Sequence, residues 1–251
     1  MNKLTFASAF DFTSKVVIVT GAASGIGLAT AELFAERGAR LALLDRDPLV
    51  LQVAEKLGGK GWIVDIREAS QISAAVAAIN AYYGRIDVLV NNAGIAITAP
   101  AEDLSLDAWN TTMEINLRGQ FLLAQAVAPH MFRNGWGRVV TLASQAALIG
   151  IDGHTAYSAS KAAVIGMSQC LAVEWGPRGV TSNTISPTVV ETEMGNKGWS
   201  GEIGIKARAQ IPTRRFAQPE EIGLAAVFLA SDAAAMINGT NLVVDGGYTI
   251  Q

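Results

Sequence analysis

The chain has 251 residues, half of them hydrophobic, with 19 basic against 22 acidic side chains and a formal charge of −3 at pH 7. That length and composition suit one α/β domain over 1–251 with a substantial core, and the absence of any basic block or basic–aromatic interleaving argues against nucleic acid and anionic membrane as partners. Apolar runs such as 224–230 are too short to cross a bilayer, the first fifteen residues lack a signal-peptide core, and a lone Cys170 excludes an internal disulfide and a thiolate cage, so the expected address is cytoplasmic.

The first predicted strand, Val16-Val17-Ile18-Val19-Thr20, runs into Gly21-Ala22-Ala23-Ser24-Gly25-Ile26-Gly27 and then a helical pattern that stops at Arg37-Gly38. Strand, glycine turn and helix form a phosphate cradle: Gly21 permits the tight turn, Gly25 and Gly27 remove side chains where a pyrophosphate approaches, and the helix N-terminus offers free N–H groups. The spacing is Gly-x-x-x-Gly-x-Gly, not Gly-x-Gly-x-x-Gly. A second strand, Arg40 to Leu44, ends in Asp45. An acidic side chain there accepts hydrogen bonds from a ribose hydroxyl and repels a 2′-phosphate, favouring NAD over NADP, although Arg46 next door can serve a phosphate.

Further strands are predicted near 60–64, 87–91, 138–143, 180–185 and 241–245, with helical patterns between most of them. This alternation implies a doubly wound parallel sheet with helices on both faces, binding ligands at the carboxyl ends of its strands. The glycine turn, Asp45, Asp65, Asn91, Ser144 and Pro187 fall at those ends. Asp65 reads equally as a loop aspartate capping the next helix, and Asn92 to Gly94 as residues that only stabilise the sheet. Asn116 stands in a long helical pattern. The glycine-rich segment 193–215, with Trp199, reads as a mobile substrate lid or as a disordered loop.

Tyr157 and Lys161 stand four apart in a predicted helix, which puts phenol and ammonium on one face, about 6 Å apart along the axis. A phenol titrates near pH 10 and needs a nearby cation to work at neutral pH. His154 and His130 have no clustered carboxylates, so no metal site is expected.

In Thr20-Gly21-Ala22-Ala23-Ser24-Gly25-Ile26-Gly27, Asn91-Asn92-Ala93-Gly94, Asn116, Ser144, Tyr157 and Lys161, the chain resembles the short-chain dehydrogenase/reductase family over nearly its whole length. The resemblance implies Tyr157 as the acid/base, Lys161 lowering its pKa and holding the ribose, Ser144 bonding the substrate oxygen, and Asn116 holding a water that links Lys161 to solvent. It implies NAD contacts from Gly21, Ser24, Gly25, Ile26, Gly27, Asp45, Asp65, Ile66, Asn92, Ala93, Gly94, Tyr157, Lys161, Pro187, Val190 and Thr192. Gln145, Ala147, His154, Val189 and Trp199 line the substrate pocket by the same alignment. One departure is Thr188, where the family has glycine after Pro187, which puts the geometry beside the nicotinamide in doubt.

No lining residue supplies an obvious clamp for a carboxylate or phosphate, so a small neutral polyol or ketose suits the pocket, and the tail 241–251 is similar to that of sugar-alcohol dehydrogenases. A 3-oxoacyl thioester reductase using NADPH is the second reading, and a catalytically silent dinucleotide-binding regulatory protein the third. The resemblance also implies a homotetramer. Val164, Met167, Leu171 and Trp175 form a second apolar stripe on the Tyr157 helix that a neighbouring subunit, or packing within the chain alone, would cover.

Overall fold

The computed structural model describes residues 5–251, apart from the side chains of Asn196 and Lys197, so the first four residues of the expected domain lie outside the described residues. Among these, seven strands form one parallel sheet: β1 (Val16–Thr20), β2 (Arg40–Asp45), β3 (Lys60–Ile63), β4 (Val88–Asn91), β5 (Gly137–Leu142), β6 (Val180–Pro187) and β7 (Asn241–Val244). Their spatial order is β3-β2-β1-β4-β5-β6-β7. The order reverses between β1 and β4, so a crevice opens there at the carboxyl edge.

The helices are α1 (Phe6–Ala9), α2 (Gly25–Glu36), α3 (Leu49–Lys56), α4 (Ala69–Tyr83), α5 (Leu106–Met113), α6 (Gln120–Asn134), α7 (Thr155–Trp175), α8 (Glu193–Gly198), α9 (Gly201–Gln210) and α10 (Pro219–Ala230). Central strands are buried on both faces, as parallel strands covered by helices must be. Val17, Val19, Leu41 and Leu43 face α2, α3 and α10. Val16, Ile18, Leu44 and Leu89 face the other way, against α4, α6 and α7. This alternation is the period-2 geometry of a strand expressed as two cores.

Three features differ from the sequence expectations. Strand β6 continues to Pro187, which pairs with Val244; at the last position of a strand the missing N–H costs little. The segment 193–215 is helical over most of its length, as α8 and α9. The stripe on α7 is consumed inside the chain: Val164, Leu171 and Trp175 are buried, and Trp175 meets Phe132 edge to face at 5.7 Å. It therefore needs no neighbouring subunit.

A six-residue π-helical segment, Glu114–Gly119, joins α5 to α6. It places Asn116, fully buried, behind the crevice, and such wide turns loosen the ordinary i→i−4 ladder.

Candidate active site

The crevice at the switch point is a cleft of about 850 Å³, lined from the glycine turn at one end to Trp199 at the other. Of the residues to which the resemblance gives a catalytic, cofactor or substrate role, all line it except Gly27, Asn116 and Ala147; Asn91, at the end of β4, does not line it either.

At the first end the chain must pass through a gap too small for side chains. A Cβ on Gly27 would sit 2.0 Å from the Gly21 carbonyl, and Gly21 itself has φ +64°, a region that favours glycine. Asn92 locks this turn: its Nδ2 donates to the carbonyls of Thr20 (2.9 Å) and Gly21 (3.2 Å). The backbone N–H groups of Asn92 and Ala93 both donate to Thr20 Oγ1 at 3.0 Å. Asn92 thus stabilises the strand ends and shapes the cleft together. Thr20 was visible only as the residue before Gly21; its role depends on β1 lying beside β4, a pairing between residues some 70 positions apart. Helix α2 starts at Ser24 with no side-chain cap, leaving its first N–H groups open.

Asp45, at the end of β2, reaches back to the turn. Its Oδ2 accepts from Ala23 N–H and its Oδ1 from Asp47 N–H, each at 3.0 Å. Arg46 points into solvent but still borders the cleft. Asp65 is committed to Arg67 by a forked ion pair at 2.6 Å, which holds its carboxyl below the usual carboxylate range. The glycine cradle, the uncapped helix end and the spare lone pairs of Asp45 fit a dinucleotide diphosphate and its ribose.

The far end is built on β5 and α7. Ser144 follows β5 and its Oγ accepts from Ala146 N–H at 3.1 Å. Tyr157 stands one turn into α7, with Lys161 Nζ 5.7 Å from its ring centre. The Lys161 ammonium is buried and donates to the carbonyl of Leu142, the last residue of β5, at 2.6 Å. Burial moves both groups toward neutrality. It pushes the Tyr157 phenol up, against a smaller downward pull from the Ser144 hydroxyl, and brings Lys161 down from 10.5 to about 8.

Asn116 lies beneath the cleft wall rather than in it. Its Oδ1 accepts from Ile95 N–H and its Nδ2 donates to the Ile95 carbonyl, both at 2.9 Å, and also to Ser160 Oγ at 3.1 Å. Gly94 sits between Asn116 and Lys161, where a Cβ would come within 3.2 Å and 3.4 Å of their polar atoms. His154 Nδ1 donates to the Asp152 carbonyl at 2.6 Å, which leaves Nε2 as an acceptor in the neutral ring. Val189 and Trp199 pack with Ile211, Phe216 and Tyr248 in a small apolar cluster behind this end. His130 is remote, bonded to Asn80. Among the described residues no group of three or more His, Cys, Asp or Glu side chains could hold a metal ion, and no helix is long and apolar enough to cross a membrane.

A family model described as Enoyl-(Acyl carrier protein) reductase matches residues 21–249. The chain is 54% identical over 250 residues to a D-threitol dehydrogenase of Mycolicibacterium smegmatis, covering 96% of each. It is 48% identical over 249 residues to an NAD-dependent glycerol dehydrogenase of Listeria innocua, covering 98% of each. A solved structure from Beutenbergia cavernae, provisionally named an NAD(P) dependent gluconate 5-dehydrogenase and holding NADP at low occupancy, superposes with TM-score 0.92 at 37% identity, over 97% of this chain and 100% of that one.

The Lys161 assignment has a thermodynamic signature. A lysine at about 8 when folded and 10.5 when unfolded releases its proton earlier in the native state, so stability rises with pH across that window. Relative to Lys161→Met, the wild type should gain roughly 2 kcal/mol between pH 8 and pH 10 in urea denaturation. Parallel pH profiles for the two proteins would refute the burial of a titrating ammonium.

Proposed function

From a chain that belongs to the short-chain dehydrogenase/reductase family, and is therefore an oxidoreductase acting on CH–OH groups, we propose an NAD-dependent dehydrogenase for a small polyol and its ketose. The observation that carries this reading is the meeting of Ser144, Tyr157 and Lys161 at one end of a cleft whose other end is a glycine cradle beside Asp45. A silent binding protein has no use for a buried proton-transfer group aligned with that cradle.

NAD, when bound, supplies the carbon that accepts the substrate's hydride and a positive charge while oxidised. The residues do the rest. Gly21, Ser24, Gly25, Ile26 and Gly27 would hold the diphosphate and Asp45 the ribose hydroxyls; Asp65, Ile66, Asn92, Ala93, Gly94, Pro187, Val190 and Thr192 would line the remainder. Ser144 would hold the alcohol oxygen, and Tyr157 as phenolate would take its proton as the C–H bond gives up hydride and the C=O bond forms. In ketone reduction the raised phenol is already in its donating form at neutral pH. Lys161 would hold ribose and steady the phenolate. Asn116, whose amide N–H groups are both committed, would act through the loosened backbone of the π turn, where a water can sit.

The substrate end supports a neutral polyol. Gln145 and His154 present hydrogen-bond acceptors, Trp199 and Val189 give apolar surface, and among the lining residues the cationic side chains are Arg46 at the other end and the buried Lys161. A thioester reductase for acyl carriers would want a basic entrance. Helices α8 and α9 would act as the substrate lid over this end. A reducing, cytoplasmic setting goes with the exposed free Cys170. A homotetramer would rest on other surfaces than the α7 stripe: Val173 on α7, Val243 on the edge strand β7 and Ile250 in the tail are exposed.

Screening NAD reduction over sugar alcohols, secondary alcohols and hydroxyacyl thioesters tests the reading. Turnover confined to thioesters with NADPH would contradict it. Tyr157→Phe should cut turnover at least about 100-fold with NAD binding kept. In kcat/KM the wild type should favour NAD over NADP, and Asp45→Ser should narrow that preference about tenfold or more, because Arg46 is then left to attract the 2′-phosphate. Light scattering should give four times the 26.3 kDa of the chain; a monomer mass at micromolar concentration would end the tetramer proposal.

A further inference from the structure

Two oxygens in the cleft wall have no partner. Gln145 Oε1 and Thr188 Oγ1 are buried without a hydrogen bond, in residues only 5% and 8% exposed. An unpaired buried oxygen costs about 1 to 3 kcal/mol, so each one asks for a reason. The two residues follow β5 and β6, which pair as neighbouring strands, and both line the same cleft as Ser144.

Thr188 replaces the glycine expected after Pro187, yet nothing in its backbone calls for glycine, since its φ lies outside the left-handed region. Its N–H donates to the Val244 carbonyl at 3.1 Å, which fixes the main chain and leaves the hydroxyl uncommitted. No hydrogen bond holds either side chain. A turn about χ1 of Thr188, or of the terminal amide of Gln145, brings a polar atom to a ligand without breaking one.

We propose that the Thr188 hydroxyl, working with the Gln145 amide, reads a second hydroxyl on the substrate, carried by the carbon next to the one oxidised. This rests on the polyol reading and deepens it to vicinal diols. A hydroxyl group suits both partners, because it donates to Gln145 Oε1 while accepting from Thr188. A mono-alcohol leaves both oxygens unpaired, which is how a site built for a hydroxyl rejects an analogue without one.

The test compares kcat/KM for 2,3-butanediol and 2-butanol, which differ by one vicinal hydroxyl, in the wild type, Thr188→Val and Thr188→Ser, with NADH affinity measured by fluorescence. The wild type should prefer the diol. Thr188→Val keeps the shape and removes the hydroxyl, so the preference should fall about tenfold, mostly through KM, with NADH affinity unchanged. Thr188→Ser should restore it. An equal preference in Thr188→Val and wild type would overturn the inference while leaving the polyol reading intact. So would a fall in NADH affinity, which would assign the hydroxyl to the cofactor, or a loss in Thr188→Ser as large as in Thr188→Val. A wild type that does not discriminate would overturn the polyol reading itself, and the inference with it.

Discussion

A lysine ammonium buried beneath the cleft, with the Leu142 carbonyl as its hydrogen-bond acceptor, is the constraint around which the rest of the site is arranged. A lone buried cation is costly, and its pKa of about 8 records that cost. Three elements make it tolerable. Strand β5 ends where its last carbonyl meets the ammonium, Gly94 withholds a side chain that would crowd it, and α7 carries Tyr157 one turn before it. The same burial lifts the phenol above its ordinary value.

The opposite end of the cleft is governed by steric fit. Gly21 and Gly27 approach so closely that no side chain is admitted, and Asn92 fastens the turn to β4. Asp45 then closes the turn from β2 through Ala23 N–H. Three adjacent strands thereby fix the position of one cradle. Because β5 and β6 continue the same edge, the cradle and the strand end that meets Lys161 are held in register by the sheet.

Much of this was legible in the sequence, for physical reasons. Strands buried on both faces appear as unbroken apolar runs, so β1, β2, β4 and β5 are plain to read, and Tyr157 and Lys161 declare themselves by helical spacing. Other features depend on contacts between distant parts of the chain. The service of Thr20 and Asn92 to the glycine turn needs the β1–β4 pairing. The α7 stripe reads as surplus until Val164, Leu171 and Trp175 are found buried in the chain's own core. Helices α8 and α9 contain Gly195, Gly198, Gly201 and Gly204, residues of poor helix propensity, and α9 is held by Arg208, which bonds Glu191 and covers Phe216. Thr188 stands out in the sequence as a departure from the family glycine, but that its hydroxyl and the Gln145 Oε1 are buried without a partner shows only in the packed structure.

The central claim is that a C–H hydride passes directly from a polyol to NAD while Tyr157 takes the hydroxyl proton. The most direct measurement uses a small polyol deuterated at all of its carbinol carbons, with NAD in ordinary water and mass spectrometry of the product. One deuterium in each NADH formed is the result this account predicts. NADH formed without deuterium would show that the hydrogen came from solvent, and would contradict it.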